Sequence, residues 1–137
     1  MNILKITKAD LDENNRYKKE GVGKWNKYED VSLEVEENLG WISITEGIYV
    51  NGSISIEAGS GIEAGSGIKA GEGIKAGEGI EAGEGIVAGL SISCKLSLSF
   101  TKRVFAGVAW WRDVSDEEKT ITCGKLEGGK VCYGEVK

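Results

Sequence analysis

Between Ile56 and Gly89 the chain repeats one six-residue unit: IEAGSG, IEAGSG, IKAGEG, IKAGEG, IEAGEG, then IVAG. A period this short restricts the chain to repeat architectures. One unit cannot offset the ordering of six residues, at about 1–2 kcal/mol of backbone entropy each. Units must therefore stack, each covering the apolar side chains of the next.

The apolar slot extends beyond the near-identical copies, onto Ile44, Val50, Ile56, Ile62, Ile68, Ile74, Ile80, Ile86, Ile92, Leu98 and Val104. Two residues later a small slot reads Ala58, Ala64, Ala70, Ala76, Ala82 and Ala88, then Cys94, Phe100 and Ala106. Residues two apart share a face of a strand, which leaves Glu57, Glu63, Lys69, Lys75 and Glu81 on the opposite face. A helix is excluded by this spacing and by the paired glycines, each costing about 1 kcal/mol relative to alanine. Each unit thus reads as a short strand, Ile-x-Ala, and a bend, Gly-x-Gly, in which glycine is expected to supply backbone angles closed to other residues. Collagen requires glycine at every third position, whereas here the glycine spacing alternates two and four and proline is absent. The unbroken apolar slot argues against a disordered glycine-rich tract. The expected fold is an all-β β-solenoid, or β-helix.

Hexapeptide acyltransferase solenoids place a small residue two positions before the aliphatic one. Here those positions hold Ser60, Ser66, Glu72, Glu78 and Glu84, and the chain has no histidine for acyl transfer. The pattern GxGIxAGxGIxA more closely resembles bactofilin-type β-helices, which implies a triangular coil of three units per turn. A two-unit turn would stack Glu57 on Lys69 on Glu81. A three-unit turn would pair Glu57 with Lys75 and set Glu63 against Glu81. Opposite charges across strands contribute a few tenths to about 1 kcal/mol, so charge alone favours the smaller turn.

The 137 residues suit a single domain. Its expected parts are a cap segment over 1–43, the solenoid over 44–109, and a strand with hairpin cap over 110–137. In the first part Val31, Leu33 and Val35 alternate as a strand, and a turn at Asn38-Leu39-Gly40 leads to Trp41-Ile42-Ser43-Ile44, giving a capping hairpin. In the last part, TITCGKLE and KVCYGEV flank Gly128-Gly129 as a second hairpin, with Cys123 and Cys132 on its two arms. From Leu90 to Phe100 apolar residues alternate with serine and lysine without glycine, so the coil is expected to end or straighten there. Cys94, in an alanine slot, reads as a small core residue. Three cysteines, an odd number, fit free thiols in a reducing compartment.

Net charge is −5, which disfavours bulk nucleic-acid binding and permits binding to basic protein surfaces. Met1-Asn2-Ile3-Leu4-Lys5 leads directly into charged sequence with no apolar run, so the expected location is the cytoplasm, without membrane association. Without histidine the Ser-His-Asp and Cys-His arrangements are impossible, and no metal or cofactor set stands out; the chain reads as a non-enzyme. Glu72, Glu78 and Glu84 recur as a row of bend carboxylates able to imitate nucleic-acid charges. Arg16, Lys18, Lys19, Lys24 and Trp25 form a basic, aromatic stretch that either caps the coil or holds phosphates and bases. Trp110 and Trp111 point to opposite strand faces, so one of them, with Arg112, is a candidate anchor for a partner or for a second subunit in a homodimer.

The run GIKAGEGIEAGEGI, followed by LSISCK, FAGVAWWR and the closing glycine pair, resembles small hexapeptide-repeat proteins of phages and prophages over residues 44–134. That resemblance implies a non-enzymatic inhibitor of host defence in the bacterial cytoplasm, of the anti-CRISPR kind. It would dock on a CRISPR effector through its acidic face, with Trp110, Trp111 and Arg112 or with the basic N-terminal stretch. A bactofilin-like self-assembling protein and a nucleic-acid-binding module are the competing classes.

Overall fold

The computed structural model describes residues 2–24, 26–109 and 114–136, with backbone only at Cys132 and Tyr133. Its strands are β1 (Asn2–Ile6), β2 (Val31–Val35), β3 (Gly40–Ile44), β4 (Ile48–Val50), β5 (Ile54–Ile56), β6 (Ser60–Ala64), β7 (Ile68–Ala70) and β8 (Ile74–Ala76). They continue as β9 (Ile80–Ala82), β10 (Ile86–Ala88), β11 (Ile92–Cys94), β12 (Ser97–Ala106), β13 (Thr120–Thr122), β14 (Lys125–Tyr133) and β15 (Glu135–Val136). Among the described residues all pairing between these strands is parallel, as a β-solenoid requires.

Through the repeats each strand pairs with the third strand along: Ile62 with Ile80, Ile68 with Ile86, Ile74 with Ile92. A turn therefore takes three units and 18 residues, which rules out the two-unit coil. One face carries β1, β2, β5, β8, β11, β13 and β15 in stacking order. A second carries β3, β6, β9 and the first half of β12; a third carries β4, β7, β10 and the second half of β12. Because β12 runs unbroken from one to the other, the last two faces form one hydrogen-bonded sheet.

Isoleucine stacks on isoleucine inside the coil, and Ile62, Ile68, Ile80, Ile86 and Ile92 are fully buried. Burial of each contributes about 1.5–3 kcal/mol relative to exposure. The apolar series Ile44, Val50, Ile56 belongs to a different column from the one its period suggests. Ile42, Ile48 and Ile54 stack on Ile62, Ile68 and Ile74, whereas Ile44, Val50 and Ile56 stack on Ala64, Ala70 and Ala76. Two extra residues in the corner between β5 and β6 cause the slip, so the steps from β3 to β6, β4 to β7 and β5 to β8 each take 20 residues. Ser60 follows this corner fully buried, its hydroxyl donating to the Glu36 carbonyl (2.6 Å) and accepting from the Leu39 amide (3.0 Å).

Gly59, in the first copy, has the expected positive φ of 79°, but the corresponding glycines of the later copies differ in role from the expectation. Gly65, Gly71, Gly77 and Gly83 do not adopt positive φ. A Cβ at these positions would instead fall on a backbone carbonyl of the preceding turn, on Thr45, Asn51, Glu57 and Gly65 respectively. Close approach between turns, not chain reversal, demands glycine here.

Neither end is a hairpin. β2 pairs with β1 and β5 while β3 pairs with β6, so the two occupy successive faces of the coil. Residues 7–30 complete the first turn irregularly: Arg16 bridges to Ser43, Val22 to Ile48 and Glu29 to Val50, while Leu11, Tyr17 and Val22 close the core. At the other end Gly128 and Gly129 lie within β14, which stacks parallel on β12. A Cβ on either would meet the carbonyl of Phe100 or Lys102, where β12 crosses its corner and the pairing shifts. The coil neither ends nor straightens after Leu90, because the chain turns at Lys95-Leu96 and continues into β12. Parallel stacking thus runs from β1 to β15, beyond the interval 44–109.

Candidate functional site

The 18-residue turn sorts the surface residues by face. Outward positions of the second face read Ser43, Glu63, Glu81, Ser99 and Glu127 in stacking order. Glu63 and Glu81 are exposed and directly paired, so two acidic side chains leave the same face from strands about 4.8 Å apart. Opposed like charges are destabilising. Glu57 and Glu78 stand on the corner before this face, Glu46 and Glu84 on the corner after it. Among the described residues none of these six carboxylates is held in an ion pair. The two lysines of the repeat project elsewhere: Lys69 stacks on Tyr49 on the third face, and Lys75 on Ser55 on the first. Lys75 misses Glu57 because of the two-residue slip.

Trp41 shares the acidic face. Its indole lies outside β3 and across the next two turns, over Gly61 and Gly79. A Cβ on Gly61 would come within 3.1 Å of the ring, and one on Gly79 within 2.7 Å. Glycine at both positions leaves a shallow bed that the ring fills, and the residue stays 39% exposed. An aromatic face beside carboxylates is suited to a cationic side chain, which gains from ring and charge together.

Beside the corner of Glu46 and Glu84 opens a cleft of about 650 Å³ between the N-terminal segment and the coil. Lys24 and Asn26 line one wall; Thr45, Gly65 and Ser66 line the other. Tyr49 forms part of the lining, its hydroxyl 3.4 Å from that of Ser66 and its ring in edge contact with Tyr28 at 5.9 Å.

The residues singled out from sequence are dispersed. Glu72, Glu78 and Glu84 stand on three different corners, because a six-residue step advances the chain by one face. Their amides donate to Gly52, Ser60 and Ser66 of the preceding turn. They form no row, and only Glu78 and Glu84 border the acidic face. Arg16 lies exposed at the start of that face, next to Ser43. Backbone amides of Arg16 and Asn14 donate to the Asp12 carboxylate and hold its pKa below the usual range. Lys18 donates to the Ala9 carbonyl at 3.0 Å, Lys19 is exposed, and Lys24 lies in the cleft wall bridged to Lys27. Arg16, Lys18 and Lys19 are separated only by Tyr17, and Glu20 stands between them and Lys24. Trp25, Trp110, Trp111 and Arg112 lie outside the described residues.

Sequence reasoning missed Trp41 and the grouping of Glu46, Glu57, Glu63 and Glu81. The available signal was the spacing of Trp41, Gly61 and Gly79, which becomes a column only at the right turn length. Among the described residues no group of three or more His, Cys, Asp or Glu side chains could hold a metal ion, and no helix is long and apolar enough to cross a membrane. Comparison with family models, with curated proteins and with solved structures gave no match to this chain.

Proposed function

We propose that the protein is a non-enzymatic binding protein whose second face docks on the basic, nucleic-acid-binding surface of a host defence nuclease, as an anti-CRISPR inhibitor would. One observation carries the reading: Trp41 lies on its glycine bed beside the paired Glu63 and Glu81. That pairing costs the fold stability which a basic partner would restore on binding. The flanking carboxylates extend the negative field, which speeds association with a cationic surface. On this reading the protein works by occupying that surface, without chemistry, in the bacterial cytoplasm.

The test adds the protein to purified CRISPR effector complexes and measures target-DNA binding and cleavage. Inhibition should weaken as salt rises and should be lost in Glu63→Lys/Glu81→Lys and in Trp41→Ala. Full inhibition by both variants, or no inhibition of any effector, overturns the reading.

A bactofilin-like, self-assembling role is the second reading, favoured by the C-terminal end of the coil. There Leu126 and Val136 are 37% and 46% exposed, on strands that end the stack. Filaments seen by sedimentation and electron microscopy at micromolar concentration would favour it over the inhibitor.

A further inference from the structure

The pairing of β11 with β13 sets Ile92 beside Ile121 and Ser93 beside Thr122. One step further along both strands come Cys94 and Cys123. Cys94 occupies the small slot of the core, stacked on Ala76 and 5% exposed, while Cys123 packs against the core from a half-buried position. The alternation that buries Ile92 and Ile121 turns Cys94 and Cys123, two residues further along each chain, toward the same inner side. Neighbouring strands lie about 4.7–4.9 Å apart, inside the window of about 4.4–6.8 Å between Cα atoms that a disulfide spans. Cys123 directly follows the last residue of β13.

We infer that Cys94 and Cys123 are a dithiol that closes, by exchange with a low-molecular-weight disulfide, into a staple between two turns of the solenoid. Cys123, the more accessible sulfur, attacks first as the thiolate and releases one small thiolate, which takes a proton from solvent. Cys94 then gives its proton to solvent, and its sulfur attacks that of Cys123. The second small thiolate leaves, and the protein disulfide remains. The protein loses two electrons and two protons; the small disulfide gains them as two thiols. A thiol reductant reverses both steps. Burial raises the Cys94 thiol to about 12, so the second step is the slower and accelerates with pH. Closure pins β13 to β11 and brackets the whole of β12 within one covalent loop.

The test incubates the full chain with glutathione disulfide and follows intact mass and peptide maps. Wild type should lose two hydrogens and yield a Cys94–Cys123 cross-linked peptide, faster at higher pH. Cys132→Ser should behave identically, which separates this pair from the third cysteine. Cys94→Ala, carrying the residue the same column holds at Ala76, should fold and stop at a glutathione adduct on Cys123. Cys123→Ala should form no such link. A stable adduct on wild-type Cys123, a link through Cys132, or an unmodified chain each overturns the proposal.

Discussion

The middle turn of the coil and its two ends meet the same stacking requirement by different means. Between Ile62 and Ala88 the backbone does the work: glycines at the corners let one turn settle against the carbonyls of the last, and each apolar core position is isoleucine or alanine. At the ends side chains take over. Ser60 ties the start of β6 to Glu36 and Leu39 of the turn before, Tyr17 and Leu11 close the N-terminal opening, and Phe100 fills a column that alanine fills elsewhere. Uniform stretches specify geometry, and irregular ones limit it.

The sharpest way to break this comparison is in the middle core. Ile80→Ala should lower stability by about 2–5 kcal/mol, read from the urea midpoint, whereas Leu126→Ala at the exposed end should cost under about 1 kcal/mol. Next come the two glycine positions of the repeat, tested in different units. Gly83→Ala places a methyl on the Gly65 carbonyl and should cost about 3 kcal/mol or more by thermal unfolding. At Gly73 the nearest atom to a new Cβ is the Ser91 carbonyl oxygen at 3.3 Å, and Gly73→Ala should shift stability by no more than about 1 kcal/mol. If both variants lose equal stability, the close-approach account of the corner glycines fails. At the N-terminal end, Ser60→Ala leaves the part-buried Glu36 carbonyl and Leu39 amide without their partner and should cost about 1–3 kcal/mol in chemical denaturation. The smallest effect separates fold from surface: Glu81→Gln should stabilise the coil by a few tenths of a kcal/mol, a gain that fades at high salt, while weakening partner binding.

The solenoid was legible because isoleucine and alanine two residues apart admit only a strand, and one strand of three residues cannot stand alone. The phase slip was not, because Ile54 and Ile56 are both apolar and either can be read as the isoleucine of its unit. Only Ser60, polar where an isoleucine would continue the upstream series, marks the place. The Gly128-Gly129 pair misled for a related reason: glycine serves a two-residue turn and a close backbone crossing equally well, and its neighbours do not distinguish them. The candidate site was hidden by period. Glu72, Glu78 and Glu84 are neighbours at six residues and strangers at 18, whereas Glu63 and Glu81 become neighbours only at 18. Trp41 carried no local signal, since the glycines that seat it lie one and two turns away.

A chain that pairs at 18 residues behaves like a screw thread with three flats. Removing a whole turn would shorten the screw and leave every flat with its own chemistry. Removing a single six-residue unit would leave the thread intact and rotate all that follows by one flat, carrying carboxylates to where lysine now stands. Length can therefore drift only in whole turns without scrambling the surface. The two additional residues before Ser60 show the other permitted edit, a small slack taken up at a corner, where it displaces no flat at all.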